Sequence, residues 1–335
     1  MASPPDPAAL TNTHIPHNPN IIEPYLQDAL NTSSSSAHPA HLINPTSRTS
    51  HPINAPNAIT TYPTLKLNTR NQILLFPGSF NPPHQGHLAT IRYFHERRDQ
   101  LAIVAMFIFA DPSDIIGTKE KIWGDIILPQ SLRNQMFAEV LELAQLIEGR
   151  WLHLLVGDME GHINVLRDTT DLIADAGWDV NLVGFLGGDK LSIESPPHLP
   201  PGGLRAWGPV DEFLIMNARR PVDFYDPGPD ASPHNLLGCT EWKRGKLKVE
   251  HEQSVGALWL CRALTVPGEP VIQFRASKRS ASNGISSTKI RRIMSEAPDE
   301  ELYGQLKDKV LSVELLLEWL KIYRKTKMME DEGAL

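Results

Sequence analysis

Cysteine is nearly missing from this chain: its 335 residues hold two, Cys239 and Cys261. They form no CxxC pair, which argues against a disulfide framework or a thiolate metal site and makes a reducing compartment the expectation. Long apolar runs are missing too. No stretch approaches the roughly 18–20 residues of a membrane span, and the N-terminus has no short apolar core of the secretory kind. The first 60 residues carry a single arginine, Arg48, thin support for a mitochondrial presequence, so cytoplasm or nucleus is expected. An excess of positive charge is absent as well. With Lys+Arg 32 against Asp+Glu 39, the formal charge is −7, which speaks against general binding to nucleic acid or to a membrane surface. A local basic pocket stays open, because a small phosphorylated ligand needs only a few cations.

What is present fits a packed α/β protein. Hydrophobic residues make up 41% and charged residues 21%, a balance that buries a core, and the length suits one large domain or two modest ones. Residues 1–68 are rich in Pro, Asn, Ser, Thr, His and Ala, with no sustained period, and read as a disordered arm. A lesser reading makes Ile21, Ile22, Tyr25 and Leu26 a short docking helix. The arm's histidines (His14, His17, His38, His41, His51) are too irregularly spaced to suggest a metal site.

From residue 69 to about 327 the chain reads as one domain. Ile73–Phe76 is a short apolar run closed by Pro77-Gly78, a buried strand followed by a turn. Helix is expected over Gly86–Arg98, strand over Leu101–Phe109, and one amphipathic helix over Ser131–Leu146. Trp151–Val156 reads as strand, His162–Ala176 as helix, and Val180–Leu186 as strand ending in Gly187-Gly188-Asp189. Strands separated by helices imply a Rossmann-like, doubly wound parallel sheet, whose ligands sit beyond the carboxyl ends of the strands. Residues 221–270, rich in Pro, Gly and charge, read as a long surface insertion. Val271–Phe274 resumes a strand, Thr288–Met294 begins a helix, Val310–Lys325 is a last amphipathic helix, and 328–335 is a frayed tail.

Two constellations carry chemistry. In Gly78-Ser79-Phe80-Asn81-Pro82-Pro83-His84-Gln85-Gly86-His87 a strand meets a helix through a glycine-bearing turn, so backbone N–H groups and a helix N-terminus converge on an anion site. His84 and His87 can both face it, Gly86 leaves room for a phosphate, and the prolines stiffen the loop. Zinc would need further ligands that are not evident nearby. The second is Ile285-Ser286-Ser287-Thr288-Lys289-Ile290-Arg291-Arg292. Its hydroxyls stand at a helix start, where they cap and where N–H groups bind phosphate oxygens. Arg291, one turn after Thr288, can reach the same anion.

Together these stretches resemble the HxGH nucleotidylyltransferase superfamily, and Ser286 to Arg292 is similar to the ISSTKIRR stretch of nicotinamide mononucleotide adenylyltransferases. The likeness runs from Gln72 to about Met294. Gly187-Gly188-Asp189-Lys190-Leu191 is similar to that family's ribose-receiving GAD-x-L element. Trp207, followed by Asp211, Ile215, Arg219 and Arg220, resembles its W…D…I…R segment, in which the Trp stacks on the substrate base. Arg133 is similar to the Arg opening the helix after the substrate loop, with Lys119 and Lys121 upstream. Two features depart from the family: the 221–270 insertion, and Met159 near a place where eukaryotic members carry Trp.

The resemblance implies attack of a substrate phosphate on the α-phosphorus of a nucleoside triphosphate, with release of pyrophosphate. His84 and His87 would donate to the α- and β-phosphate oxygens, and Ser286, Ser287, Thr288 and Arg291 would hold the β- and γ-phosphates. Gly78, Ser79 and Phe80 would supply backbone contacts. Gly188 and Asp189 would meet a ribose, Trp207 a base, and Lys121, Arg133 and Arg219 the acceptor. Mg²⁺ would arrive on the triphosphate, expected to be ATP, rather than in a carboxylate cage. The expected acceptor is nicotinamide or nicotinate mononucleotide. Phosphopantetheine, a phosphoalcohol with CTP, and a catalytically silent nucleotide-binding relative stay open, as does a homo-oligomer. An aminoacyl-tRNA synthetase is disfavoured, since a KMSKS-like loop, an anticodon-binding module and basic charge are all lacking.

Overall fold

The structure, a computed structural model, describes residues 20–34, 36–43, 63–112, 126–187, 191, 210, 212–218, 222–228, 231–265, 268–277 and 285–331. The chain runs through α1 (Glu23–Ser33), β1 (His41–Leu42), β2 (Asn71–Gly78), α2 (Gln85–Glu96), β3 (Ile103–Ala110), α3 (Gln130–Ala138), α4 (Leu141–Glu148) and β4 (Leu152–Val156). It continues through α5 (Met159–Asp175), β5 (Val180–Leu186), β6 (Glu212–Met216), β7 (Lys243–Arg244), α6 (Val249–Val255), β8 (Ala257–Arg262) and β9 (Val271–Ala276). Three helices close it: α7 (Ser287–Glu296), α8 (Asp299–Leu306) and α9 (Val313–Asp331).

All the named strands join one sheet in the order β1-β4-β3-β2-β5-β6-β9-β8-β7. The inner six, from β4 to β9, are parallel. The chain lays β3 and β4 to one side of β2, then returns to lay β5, β6 and β9 on the other. This is the doubly wound Rossmann-like order, and its switch point lies between β2 and β5, where a crevice opens beyond the strand ends. The stretch from Gly78 to His87 leaves β2 at that edge, and Gly187 leaves β5 there.

The central strands are apolar because both faces are covered. Every residue of β3 is buried. Its Met106, Ile108 and Ala110 face a core shared with Leu88, Ile91 and Phe94 of α2 and Leu143 and Leu146 of α4. Phe107 and Phe109 face the opposite core, with Val165, Leu166 and Ile173 of α5.

That second core overturns part of the expected disordered arm. Ile22, Tyr25, Leu26, Ala29 and Leu30 are buried against it, spaced three and four apart as one face of a helix requires. Pro24 starts α1. Beyond α1, β1 pairs antiparallel with β4, and His38 Nδ1 bonds Asp158 Oδ2 at 2.6 Å. The arm's composition, taken as an average, hides one amphipathic helix of 11 residues that finds its partner in α5. Residues 1–19 and 44–62 lie outside the described residues.

The 221–270 stretch is likewise not a surface insertion where it is described. β8 pairs with β9 over Ala257–Arg262, and Val222, Phe224, Leu236 and Trp242 are buried with Phe274. Phe224 stacks on Trp242 at 5.8 Å, and Trp242 Nε1 donates to His234 O. Prolines and charges punctuate the segment, but its aromatic residues extend the core. Three smaller differences follow local backbone. Val140, with ψ 116, is extended and splits the expected 131–146 helix into α3 and α4. The expected frayed tail continues α9 as far as Asp331. β6 and α8 were not anticipated.

Candidate functional site

The loop after β2 is held in a demanding conformation. Phe80 has φ +44, a left-handed backbone that costs a non-glycine residue about 1–3 kcal/mol and persists only when its surroundings impose it. They do. The Phe80 ring packs edge-on to Phe76 and Phe137, each at 5.2 Å. A Cβ on Gly78 would come within 3.0 Å of that ring, so glycine at 78 makes room for Phe80. Asn81 is buried and bridges to the next segment: its Nδ2 donates to Ile126 O and its Oδ1 accepts from Leu128 N, both at 3.0 Å.

His84 is the N-cap of α2, on extended backbone (φ −146, ψ 170). Its Nδ1 accepts the N–H of Gly86 at 3.1 Å, and Nδ1 of His87 accepts the N–H of His84 at 3.1 Å. A ring nitrogen that accepts carries no proton, so each neutral imidazole keeps its proton on Nε2. The helix start thereby sets both tautomers. It also uses the lone pairs a metal would want: Nδ1 is taken and Nε2 is a donor. The two rings stack with centroids 3.7 Å apart, and Phe80 backs His87 at 4.9 Å. An apolar wall of this kind strengthens a hydrogen bond made in front of it.

The second constellation meets the same loop. Ser287 Oγ donates to Pro82 O at 3.1 Å, and Arg291 Nη1 donates to Asn81 O at 2.5 Å. Arg291 Nη2 reaches Thr288 Oγ1 at 3.3 Å, and burial lowers the guanidinium's pKa below its ordinary value. Ser286 caps α7 by accepting from Lys289 N. From the C-terminal side, Lys309 O accepts from Gln85 N at 2.9 Å and Leu311 N donates to Pro83 O at 3.2 Å. The starts of α2 and α7 therefore converge on one short loop.

Those two helix starts also share an electrostatic omission. Neither has an acidic residue in its first turn, whereas α5 opens with Asp158 and Glu160, and α8 with Asp299, Glu300 and Glu301. Carboxylates normally satisfy the positive end of a helix dipole. At α2 and α7 that end is left to whatever anion enters between them.

Arg133 departs from the expectation of a substrate contact. It is fully buried, and its three nitrogens donate to backbone carbonyls of Leu128 (2.9 Å), Ser79 (2.6 Å) and Asp111 (2.7 Å). Burial pulls its pKa down to about 10. The residue staples the β2 and β3 loops to α3 from behind, which is a positioning task. Ser79 likewise turns its side chain to Asp111 Oδ2 at 2.8 Å.

Gly188, Asp189, Trp207, Lys119, Lys121, Arg219 and Arg220 lie outside the described residues. His84, His87, Gly78, Ser79, Phe80, Gly86, Ser286, Ser287, Thr288 and Arg291 are brought together. Reading the sequence missed Asn81 as the hub between the two constellations, although it stands inside the quoted stretch. It also missed Asn217, whose amide accepts from Ser277 N and donates to Ser277 O, tying the end of β6 to that of β9. The unrecognised strand β6 concealed it.

No family model matches the chain, and no curated protein sequence matches it. Among solved structures it is similar to the Plasmodium falciparum nicotinic acid mononucleotide adenylyltransferase complexed with NaAD. Identity is 14% and the TM-score 0.39, over 74% of this chain and 96% of that chain.

Proposed function

We propose that the chain is a nucleotidylyltransferase that moves an adenylyl group from ATP to nicotinamide or nicotinate mononucleotide, giving a dinucleotide and pyrophosphate. The observation that carries this reading is the junction at Asn81-Pro82, where the hydroxyl–guanidinium helix start is fastened to the loop bearing the imidazole pair. A triphosphate bound there lies between two helix N-termini and two Nε2–H donors.

The chemistry asked of these residues is modest. The attacking phosphate is already a nucleophile at neutral pH, so no general base is needed. The protein's contribution is to align two anions and to stabilise the charge that grows on the α-phosphoryl oxygens. His84 and His87 donate to those oxygens from a preset tautomer. The first turn of α7 holds the pyrophosphate end, and Arg291 keeps α7 against the loop while offering positive charge to it. Mg²⁺, when bound, offsets phosphate charge. Mg²⁺ takes oxygen ligands, so it would be held by the phosphate oxygens of the nucleotide rather than by the two imidazoles.

The test is pyrophosphate release by the full chain with Mg²⁺, using ATP and CTP against nicotinamide mononucleotide, nicotinate mononucleotide, phosphopantetheine and phosphocholine. Turnover with ATP and a pyridine mononucleotide, with the dinucleotide identified by mass, is the expected result. Turnover only with another acceptor would keep the reaction and change the substrate. Binding of ATP by calorimetry, with no pyrophosphate from any pair, would overturn the enzyme.

A further inference from the structure

The two cysteines of the chain, far from each other in sequence, are neighbours in the fold. Cys261 is buried on β8. Cys239 is half-buried and forms an antiparallel bridge with Ala263, framed by Thr240 N→Arg262 O at 2.9 Å and Leu264 N→Gly238 O at 2.8 Å. Cys239 thus lies opposite Ala263 and diagonal to Cys261, and all three pack on the core around Ile272 and Phe274. We infer that Cys239 and Cys261 form a thiol oxidation site, which a peroxide closes into an intramolecular disulfide.

Diagonal neighbours across two strands are commonly about 7–8 Å apart between Cα atoms, just beyond the roughly 4.4–6.8 Å that a disulfide spans. Closure therefore asks one backbone to give slightly. Cys239 is the one placed to do so. It sits outside any regular strand, and it follows Gly238, whose φ of +76 is backbone that few other residues adopt.

The two sulfurs have different roles. Interaction between the two thiols lowers the Cys239 pKa and raises that of Cys261, with burial adding to the latter. Cys239, half-buried, is the sulfur that an oxidant meets first and the more readily ionised of the two, and the buried Cys261 is the reserve behind it. The Cys239 thiolate attacks one peroxide oxygen and the O–O bond breaks. Hydroxide leaves and takes up a proton as water, and Cys239 becomes a sulfenic acid. The Cys261 sulfur then attacks Cys239 sulfur, the S–O bond breaks, and the hydroxyl leaves as water with the Cys261 proton. The balance is two thiols and one hydrogen peroxide to one disulfide and two waters.

The experiment uses the full reduced chain, treated with hydrogen peroxide, alkylated, and mapped by mass spectrometry without reductant. The expected product is a monomer lighter by two hydrogens, with peptides containing Cys239 and Cys261 cross-linked and released again by dithiothreitol. Cys261→Ser should leave Cys239 as a sulfenic acid that dimedone captures. In Cys239→Ser, oxidation of Cys261 should slow by about tenfold or more. Three results would overturn the inference. They are disulfide-linked dimers in place of the internal bond, Cys239 driven to sulfinic acid in the unsubstituted chain without a cross-link, or two unreacted thiols in folded protein under conditions that oxidise the urea-unfolded chain.

Discussion

Arg291 Nη1 donates to the backbone carbonyl of Asn81 at 2.5 Å, and with the Ser287–Pro82 bond it joins the start of α7 to the loop that leads into α2. The same guanidinium reaches Thr288 Oγ1, so its planar fork spans two partners at once. An ammonium, whose donors all sit on one nitrogen, cannot place two of them as far apart. Arg291→Lys is expected to lower stability by about 1.5–3 kcal/mol, the worth of a hydrogen bond to a charged group, and to lower the proposed nucleotidyl transfer at least roughly tenfold. Urea unfolding and pyrophosphate release check the two halves. An unchanged urea midpoint would show that the Asn81 bond does not hold the loop.

His87 has two tasks on two nitrogens, and they can be separated. Nδ1 accepts from His84 N–H, while Nε2–H is the proposed phosphate donor. In His87→Asn the amide oxygen takes the place of Nδ1, so the helix start survives but the donor is too short. In His87→Gln the amide can take either task, reaching back to His84 N–H as in a capping box or forward toward the Nε2 position. We expect His87→Asn to keep its melting temperature and lose about two to three decades of turnover, the scale of one preorganised donor. His87→Gln should lose at most about 1 kcal/mol of stability, the scale of one capping bond, yet keep more turnover than His87→Asn. The reverse order of activities would remove Nε2 from the mechanism.

For Arg133 the prediction concerns stability first. Arg133→Met leaves the Leu128, Ser79 and Asp111 carbonyls without their donors. A buried acceptor left unsatisfied costs about 1–3 kcal/mol, so a total of roughly 4 kcal/mol is expected, with faster amide exchange around residues 79, 111 and 128. A direct substrate contact would behave differently: KM would rise while the urea midpoint stayed in place.

How much of this was legible in the sequence depends on how local each signal is. The β2 run, the glycine turn and the HxGH stretch are contiguous, and one parallel sheet was the natural consequence of strands alternating with helices. The meeting of Ser287 with Pro82 could only be inferred from chemistry, because nothing in spacing brings residues so far apart together. Arg133 was misread because a buried arginine serving three carbonyls looks, in sequence, like an arginine awaiting a phosphate. The same limit applied to α1. Its apolar stripe is regular, but its stability comes from α5 and β4, which composition does not reveal.

Two buried histidines set an acid limit on the fold. His153 stacks on Phe107 with centroids 4.7 Å apart, and His162 lies 5.1 Å from Phe109. Burial is the first cause holding each imidazole neutral, with pKa pulled down to about 4. For His162, the carboxylates of Asp158 and Asp111 oppose that shift and the nearby His41 adds to it. For His153, a backbone bond to Arg150 opposes it. The sign follows from proton counts. Between pH 6.5 and 4 the unfolded chain binds protons that the native rings refuse, so stability falls as the medium is acidified through that window. For each histidine the loss between pH 7 and pH 5 is about 2 kcal/mol. His153→Phe fills the same stacked site without a titrating group. Urea midpoints measured at pH 7 and pH 5 should therefore differ less in His153→Phe than in the unsubstituted chain, by about 2 kcal/mol in unfolding free energy. An equal acid loss in both proteins would mean that His153 does not carry the pH dependence.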